Sequence, residues 1–308
     1  MPVRRMSLAL VVALSVAARA AHGEVVIGGF NAARGGQVSI AEGSGVTQLR
    51  AAILAAAPDA TFTGSATLTP RYLATVDILF LSSATAGSGA ITPLSGDEQD
   101  ALSQFVMNGG RAILATDNDT FAGANSDPAN ESLIDFLELD CGGTGAPWPQ
   151  TATIPQPFLW PIASGPYGQV SSYGIGWTGW YQGVIPAEAT TVGVVAQNGA
   201  FGLLVFPPDV LGPSSGAVVT FSDSTMFADG FFDANPNNVT LLKNTIAYLL
   251  GAGTCAGDLT NDGAVDGADL GVMLGAWNTA DAAADLDDDG VVAGSDLGIL
   301  LGAWGPCR

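Results

Sequence analysis

Two hydrophobic rhythms alternate along this chain. From Glu24, EVVIGGF is a short, nearly continuous apolar run, the pattern of a buried strand, and in GVTQLRAAILAAA, Val46, Leu49, Ile53 and Leu54 fall on one face at helical spacing. TVDILFLSS is a second strand. Ser95 and Glu98 then form an S-x-x-E capping box that opens the helix GDEQDALSQFVMNGG, stopped by Gly109 and Gly110. RAILAT is a third strand and NESLIDFLEL a helix. TTVGVVAQ, FGLLVF and AVVTFS read as later strands, and NVTLLKNTIAYLLG closes the series with Val239, Leu242, Ile246 and Leu249 in register. Alternation of this kind predicts an α/β domain: a mostly parallel sheet with helices on both faces.

The pattern changes near the end. Residues 258–277 and 285–304 agree at 13 of 20 positions, and the last 54 residues hold ten aspartates. Each copy fits a twelve-residue calcium loop, with oxygen ligands at alternating positions and a glycine, Gly263 or Gly290, at the sharp turn. The first copy offers Asp258, Thr260, Asp262, the carbonyl of Ala264, Asp266 and Asp269. The second offers Asp285, Asp287, Asp289, the carbonyl of Val291 and Asp296, with Ala293 leaving one position to water. Two Ca²⁺ sites are therefore expected, against the alternative of two solvated acidic turns. The helices LGVMLGAW and LGILLGAW are expected to pack across Gly271/Gly275 and Gly298/Gly302, with Trp277 and Trp304 closing the ends.

Composition narrows the function. The chain has 308 residues and a formal charge of −20. Its first 23 residues have the layout of a secretory signal peptide: Arg4 and Arg5, an apolar run too short for the ~20 residues of a membrane span, then small residues. A secreted protein is expected, without a membrane span. Removing that leader leaves six basic against 29 acidic residues, which disfavours nucleic acid as a partner. The only histidine, His22, falls at the cleavage junction, so the folded part has no imidazole for Ser-His-Asp or Cys-His catalysis.

Two regions carry candidate binding chemistry. Asn31, Asp117, Asp119 and Asp223 follow predicted strands and so face the crevice at the carboxyl edge of the sheet, able to hold a cation or a sugar hydroxyl, or else to cap loops. Residues 145–185 hold eight of the 24 aromatics, and Trp177, Trp180 and Tyr181 are candidates for stacking on a glycan, the alternative being a loop packed over the sheet edge.

A calcium loop followed by one helix, twice, resembles the type I dockerin module, which implies a small all-α module and a cohesin-like or cell-surface partner. Cys255 and Cys307 bracket the repeats and are expected to clasp its ends, although Cys141 leaves three pairings open. The order DILFLSS, capped helix, RAILATDND, and the ending SGAVVTFSDSTMF resemble class I glutamine-amidotransferase-like domains, which implies a flavodoxin-like sheet. That resemblance implies a nucleophilic cysteine after the third strand, where this chain has Asp117-Asn118-Asp119. The expected organisation is a leader (1–23), a non-catalytic amidotransferase-like domain (24–252) and a calcium tail (255–308) serving as a binding scaffold. The alternative is a polysaccharide-degrading enzyme or an accessory component of one.

Overall fold

The computed structural model describes residues 24–306 apart from 87–88, 144–149, 158–159, 178, 196–198, 252–256, 261–263, 282 and 288. The expected leader, Cys255, Cys307 and Asp262 all lie outside the described residues. Eleven strands form one sheet: β1 (Val26–Phe30), β2 (Thr61–Ser65), β3 (Ile78–Ser82), β4 (Arg111–Ala115), β5 (Asp140–Gly142), β6 (Gln150–Thr153), β7 (Ser172–Ile175), β8 (Trp180–Gln182), β9 (Thr190–Val195), β10 (Phe201–Phe206) and β11 (Val218–Phe221). The helices are α1 (Ala32–Gly35), α2 (Thr47–Ala56), α3 (Pro70–Leu73), α4 (Gly96–Met107), α5 (Ser126–Ile134) and α6 (Pro236–Leu249), followed by α7 (Gly267–Gly275) and α8 (Gly294–Gly302).

The strand order is β7-β6-β9-β10-β11-β4-β3-β1-β2, with β8 pairing to both β10 and β5. The half β11-β4-β3-β1-β2 is parallel. The other half is antiparallel. The sheet is therefore mixed, which corrects the expectation of a mostly parallel one. Only five residues separate β9 from β10, whereas a parallel crossover needs a dozen or more, so these two strands can only form a hairpin.

Strand alternation supplies one core on each face of the sheet. Ile27, Ile78, Phe80, Ile113 and Val219 pack with Leu49 and Ile53 of α2 and Leu242 and Ile246 of α6. On the opposite face, Leu79, Leu81, Leu114 and Val218 pack with Leu102 and Val106 of α4 and Leu133 of α5. The predicted capping box is formed: Ser95 Oγ accepts from the N–H of Glu98, and Glu98 Oε2 accepts from the N–H of Ser95. Helix α6 is buried on its polar side as well. Asn238 exchanges two hydrogen bonds with the backbone of Gly174, and Asn244 bonds Tyr167 N and Gly168 O, fixing the aromatic-rich segment against the domain.

The C-terminal module is small and helical, with its own core of Val265, Met273, Val292 and Leu300. Its packing departs from expectation. A Cβ built on Gly271, Gly275, Gly298 or Gly302 meets nothing within 4 Å, so the glycine faces do not form the contact between α7 and α8. The larger Met273 and Leu300 are buried instead, which removes apolar area from water that a glycine does not have. Trp277 packs on this core, while Trp304 is 49% exposed and closes nothing. Among the described residues no helix is long and apolar enough to cross a membrane.

Candidate functional site

Adjacent parallel strands β4 and β11 are paired with Ala115 opposite Phe221. Two residues further along each chain come Asp117 and Asp223, which this register places side by side at the carboxyl edge of the sheet. Both are almost wholly buried, at 2% and 1% exposure. Asp117 Oδ1 accepts from Asn118 N and Nδ2, each at 2.8 Å, and its Oδ2 accepts from Ser224 Oγ at 2.5 Å. Asp223 Oδ2 accepts a short bond from Gly176 N and its Oδ1 accepts from Thr225 N at 2.9 Å. Thr225 Oγ1 reaches back to Asp117 Oδ2 at 3.5 Å, linking the two.

Burial, and next the charge of Asp223, push Asp117 up to about 7. Burial pushes Asp223 up to about 6 against the N–H groups of Gly176, Thr225 and Met226. In a site this dry, two neighbouring carboxylates do not both ionise freely, and the pair retains a proton above the ordinary range.

The segment after β7 roofs this pair. Asn118 Nδ2 donates to Trp177 O at 2.6 Å, and Gly179 N donates to Ser222 O at 2.9 Å. Gly179 has to be glycine: a Cβ there would stand 2.8 Å from Gly142 O and 2.9 Å from Asp117 O. Trp177 is 47% exposed at the crevice mouth and stands edge-on to Phe231, ring centroids 6.4 Å apart. Trp180 is partly buried against the core. Tyr181 is corrected as a stacking candidate. Its β8 position pairs with Cys141 on β5, it is 2% exposed, and its hydroxyl accepts from Thr116 Oγ1 at 3.5 Å beneath the crevice.

A second acidic group, largely missed by sequence reasoning, lies beside the first. Asn130 of α5 clamps the backbone of Asp117 through both its amide atoms. Its neighbour Glu131 accepts from Cys141 N at 3.1 Å. Burial first, then the charges of Asp140, Asp127 and Asp119, push Glu131 up to about 7. Burial, Asp127 and Asp140 push Asp119 up to about 6, and its buried Oδ1 has no hydrogen-bond partner. Unlike Asp117, Asp119 and Glu131 are only half-buried. Cys141 is fully buried, with Sγ against Asp117 O and Thr116 Oγ1, and burial pushes its thiol far up.

The two acidic repeats are built unequally. Asp285, Asp287 and Asp289 place carboxylate oxygens within 4.8 Å of one another, half-buried or exposed, in an arrangement able to chelate a metal ion. Asp296 does different work: it accepts from Leu286 N, Asp287 N and Ala293 N, tying the start of the loop to α8. Asp269 does the same in the first repeat, accepting from Thr260 N and Oγ1 and from Asp266 N. Asp266 itself caps α7 through Ala268 N. Val291 N donates to Asp289 Oδ1, and Ala264 lies in a short pairing with Pro306.

No protein-family model matches the chain, and no curated protein is significantly similar to it. Solved structures share its fold at low identity. The mmIFT52 N-terminal domain is 12% identical over 73% of this chain and 96% of that one, with a TM-score of 0.54. Cytoplasmic protein STM3548 from Salmonella typhimurium is 16% identical over 73% and 98%, TM-score 0.47. The beta-galactosidase from Bacillus circulans sp. alkalophilus is 10% identical over 73% of this chain but only 30% of that one, TM-score 0.46.

These likenesses concern the fold, and they correct several expectations. Their names are not those of glutamine amidotransferases or dockerins, so neither resemblance is retained, and the cohesin-like partner goes with the second. The calcium-dependent scaffold is dropped as well, since it rested on the dockerin resemblance, and the secreted localisation, which rested on a leader outside the described residues, is not retained. The non-catalytic expectation is also withdrawn. Beside the Asp117 turn, Asp119 and Glu131 have carboxyl groups raised to about 6 and 7. Such groups move protons near neutral pH without a histidine.

Proposed function

We propose that this chain acts in carbohydrate processing, as a polysaccharide-degrading enzyme or an accessory component of one, with the crevice over β4 and β11 as its sugar site. The observation that carries this reading is the acidic group of Asp119 and Glu131 beside the Asp117–Asn118 turn, to which the backbone of half-exposed Trp177 is also bonded. An indole face suits the apolar face of a sugar ring. Glu131, holding its proton to about 7, is suited to protonate a leaving oxygen, and Asp119, ionising at lower pH, to act as base. Asp117 and Asp223 are the buried support that sets the shape of the crevice. The reading also divides the chain into a domain over 24–252 and a module over 255–308 in which Ca²⁺ occupies two loops, Asp285, Asp287 and Asp289 forming the core of the second.

The test is reducing-sugar release from a panel of neutral polysaccharides by the full chain. Turnover is expected, reduced on the order of 100-fold or more in Glu131→Gln and Asp119→Asn, with a raised KM in Trp177→Ala. Turnover indifferent to Glu131→Gln and Asp119→Asn, or absent throughout the panel, would overturn the catalytic assignment.

A further inference from the structure

A second concavity lies apart from the crevice just described, at the carboxyl ends of β1, β2 and β3. It encloses about 710 Å³. The strand order β3-β1-β2 places it where the chain reverses its direction of winding across the sheet, the position at which open α/β sheets leave a gap between loops.

One side chain builds its floor. Arg34, 9% exposed, is paired with Glu98 through both guanidinium amino groups. It also donates to Ala66 O at 3.1 Å, Thr92 O at 2.8 Å and Pro93 O at 3.2 Å, and it lies over the Phe30 ring at 4.4 Å. Three loops, following β1 and β2 and preceding α4, are thereby held by a single residue. Glu98 is fixed in turn by the N–H groups of Leu68 and Ser95. On the far wall Gly36, at φ +56°, lets the backbone pass against Thr85, where a Cβ would stand 3.0 Å from Thr85 O.

The lining selects a ligand class by elimination. It contains no large apolar side chain, only alanines, a glycine and a proline between polar residues, so an apolar guest would gain little. An anion is disfavoured. Arg34 is already neutralised by Glu98, Asp97 and Glu98 occupy the first turn of α4, and the chain carries a charge of −20. A cation would find both Glu98 oxygens already engaged. Besides the buried Arg34 Nε–H, which has no hydrogen-bond partner, the walls offer the hydroxyls of Thr67, Thr85 and Thr92, for which no hydrogen bond is formed among the described residues. Hydroxyls that both donate and accept, set in a neutral frame of small side chains, match a neutral polyhydroxylated molecule.

We propose that this cavity is a binding subsite for neutral sugar units, holding a part of the glycan remote from the carboxylate crevice; the choice of a glycan rests on the function proposed above. The two places share one edge of the sheet, β4 and β1 being two strand spacings or roughly 10 Å apart, a span that one extended oligosaccharide covers.

The experiment is isothermal titration of the full chain with neutral gluco-, manno-, xylo- and galacto-configured tetrasaccharides and with their uronic-acid counterparts. Binding of a neutral tetrasaccharide is expected, weakened about three- to tenfold by each of Thr85→Val and Thr92→Val. Ala33→Trp, at an exposed position on the rim, should abolish it by filling the space. Preference for the uronic acids, or neutral-sugar binding unaffected by all three variants, would overturn the proposal. A parallel turnover assay separates this inference from the catalytic one. Hydrolysis lost in Glu131→Gln but unchanged in both binding and rate by Ala33→Trp and Thr85→Val would sink the subsite alone. Binding sensitive to Thr85→Val without turnover of any substrate would sink the catalytic reading alone.

Discussion

Replacing Asp117 by asparagine should make the α/β domain more stable at neutral pH, not less. The side chain is 2% exposed and its carboxyl group is raised from the ordinary 3.8 to about 7, by burial and then by the charge of Asp223. In the unfolded chain the same group ionises near its ordinary value. Between about pH 4 and pH 7 the native state therefore holds a proton that the unfolded state has released, and stability falls as pH rises through that window. At 1.36 kcal/mol per pH unit, the rise from 3.8 to about 7 corresponds to on the order of 4 kcal/mol lost by pH 8. An asparagine can keep the contacts: its Oδ1 accepts from Asn118 N and Nδ2, and its amide donates to Ser224 Oγ, whose hydroxyl turns to accept. Asp117→Asn should thus remove its own share of the decline, the raised Asp223, Asp119 and Glu131 keeping the rest, and leave the variant more stable than wild type at pH 8 by a few kcal/mol. Urea unfolding followed by tryptophan fluorescence from pH 4.5 to 8 measures both curves. A wild-type stability that is level or rising across that range, or a variant less stable at pH 8, would refute the reasoning.

Three further outcomes are expected. The native chain should bind terbium in competition with Ca²⁺, as read by sensitised luminescence, and Asp287→Asn with Asp289→Asn should remove one equivalent because of the three clustered carboxylates only Asp285 is left. Glu98→Gln should destabilise the fold by about 3 kcal/mol by leaving Arg34 buried without its counter-charge. Although burial opposes ionisation of Glu98, Arg34 and the N–H groups of Ser95 and Leu68 hold it below its ordinary 4.5, so in wild type this contribution is complete above about pH 5 and is lost as acid protonates the group; denaturant titrations at pH 3.5 and 6 show the difference. Cys141, buried and with its thiol raised, should stay unmodified by DTNB at pH 8 until the protein is unfolded, and stoichiometric labelling of the native chain would contradict its placement.

Features legible in the sequence were those with a local cause. Helices α2 and α6 follow from apolar spacing, and α4 from the Ser95–Glu98 box, whose two hydrogen bonds join residues three apart. Asp117 and Asp223 could be placed at the carboxyl edge because each closely follows a recognisable strand. The antiparallel half of the sheet was less legible, although the five-residue gap between β9 and β10 holds the signal. Tyr181 looked like an exposed stacking residue because its burial depends on β8 pairing with β5, segments about 40 residues apart. Glu131 was not singled out in the sequence for the same reason: its bond to Cys141 N joins α5 to β5, a tertiary contact that no local pattern marks. The helical glycines misled in the other direction, since spacing marks a face but does not say whether another backbone comes to meet it.

The chemistry of the crevice depends on that less legible half. At the ends of β4 and β11 alone, Asp117 and Asp223 would be loop carboxylates in contact with water, with ordinary proton affinities. The segment from β5 to β8 brings Gly176 N to Asp223, Trp177 O to Asn118 and Gly179 to Ser222, closing a roof over the pair. The same segment supplies Cys141 N to Glu131 and Asp140 to the neighbouring acidic group. Desolvation is the largest cause of every raised carboxyl group here, and it is imposed by chain that is distant in sequence. A parallel α/β core sets out the acids, and the antiparallel extension dries them enough to exchange protons near neutral pH.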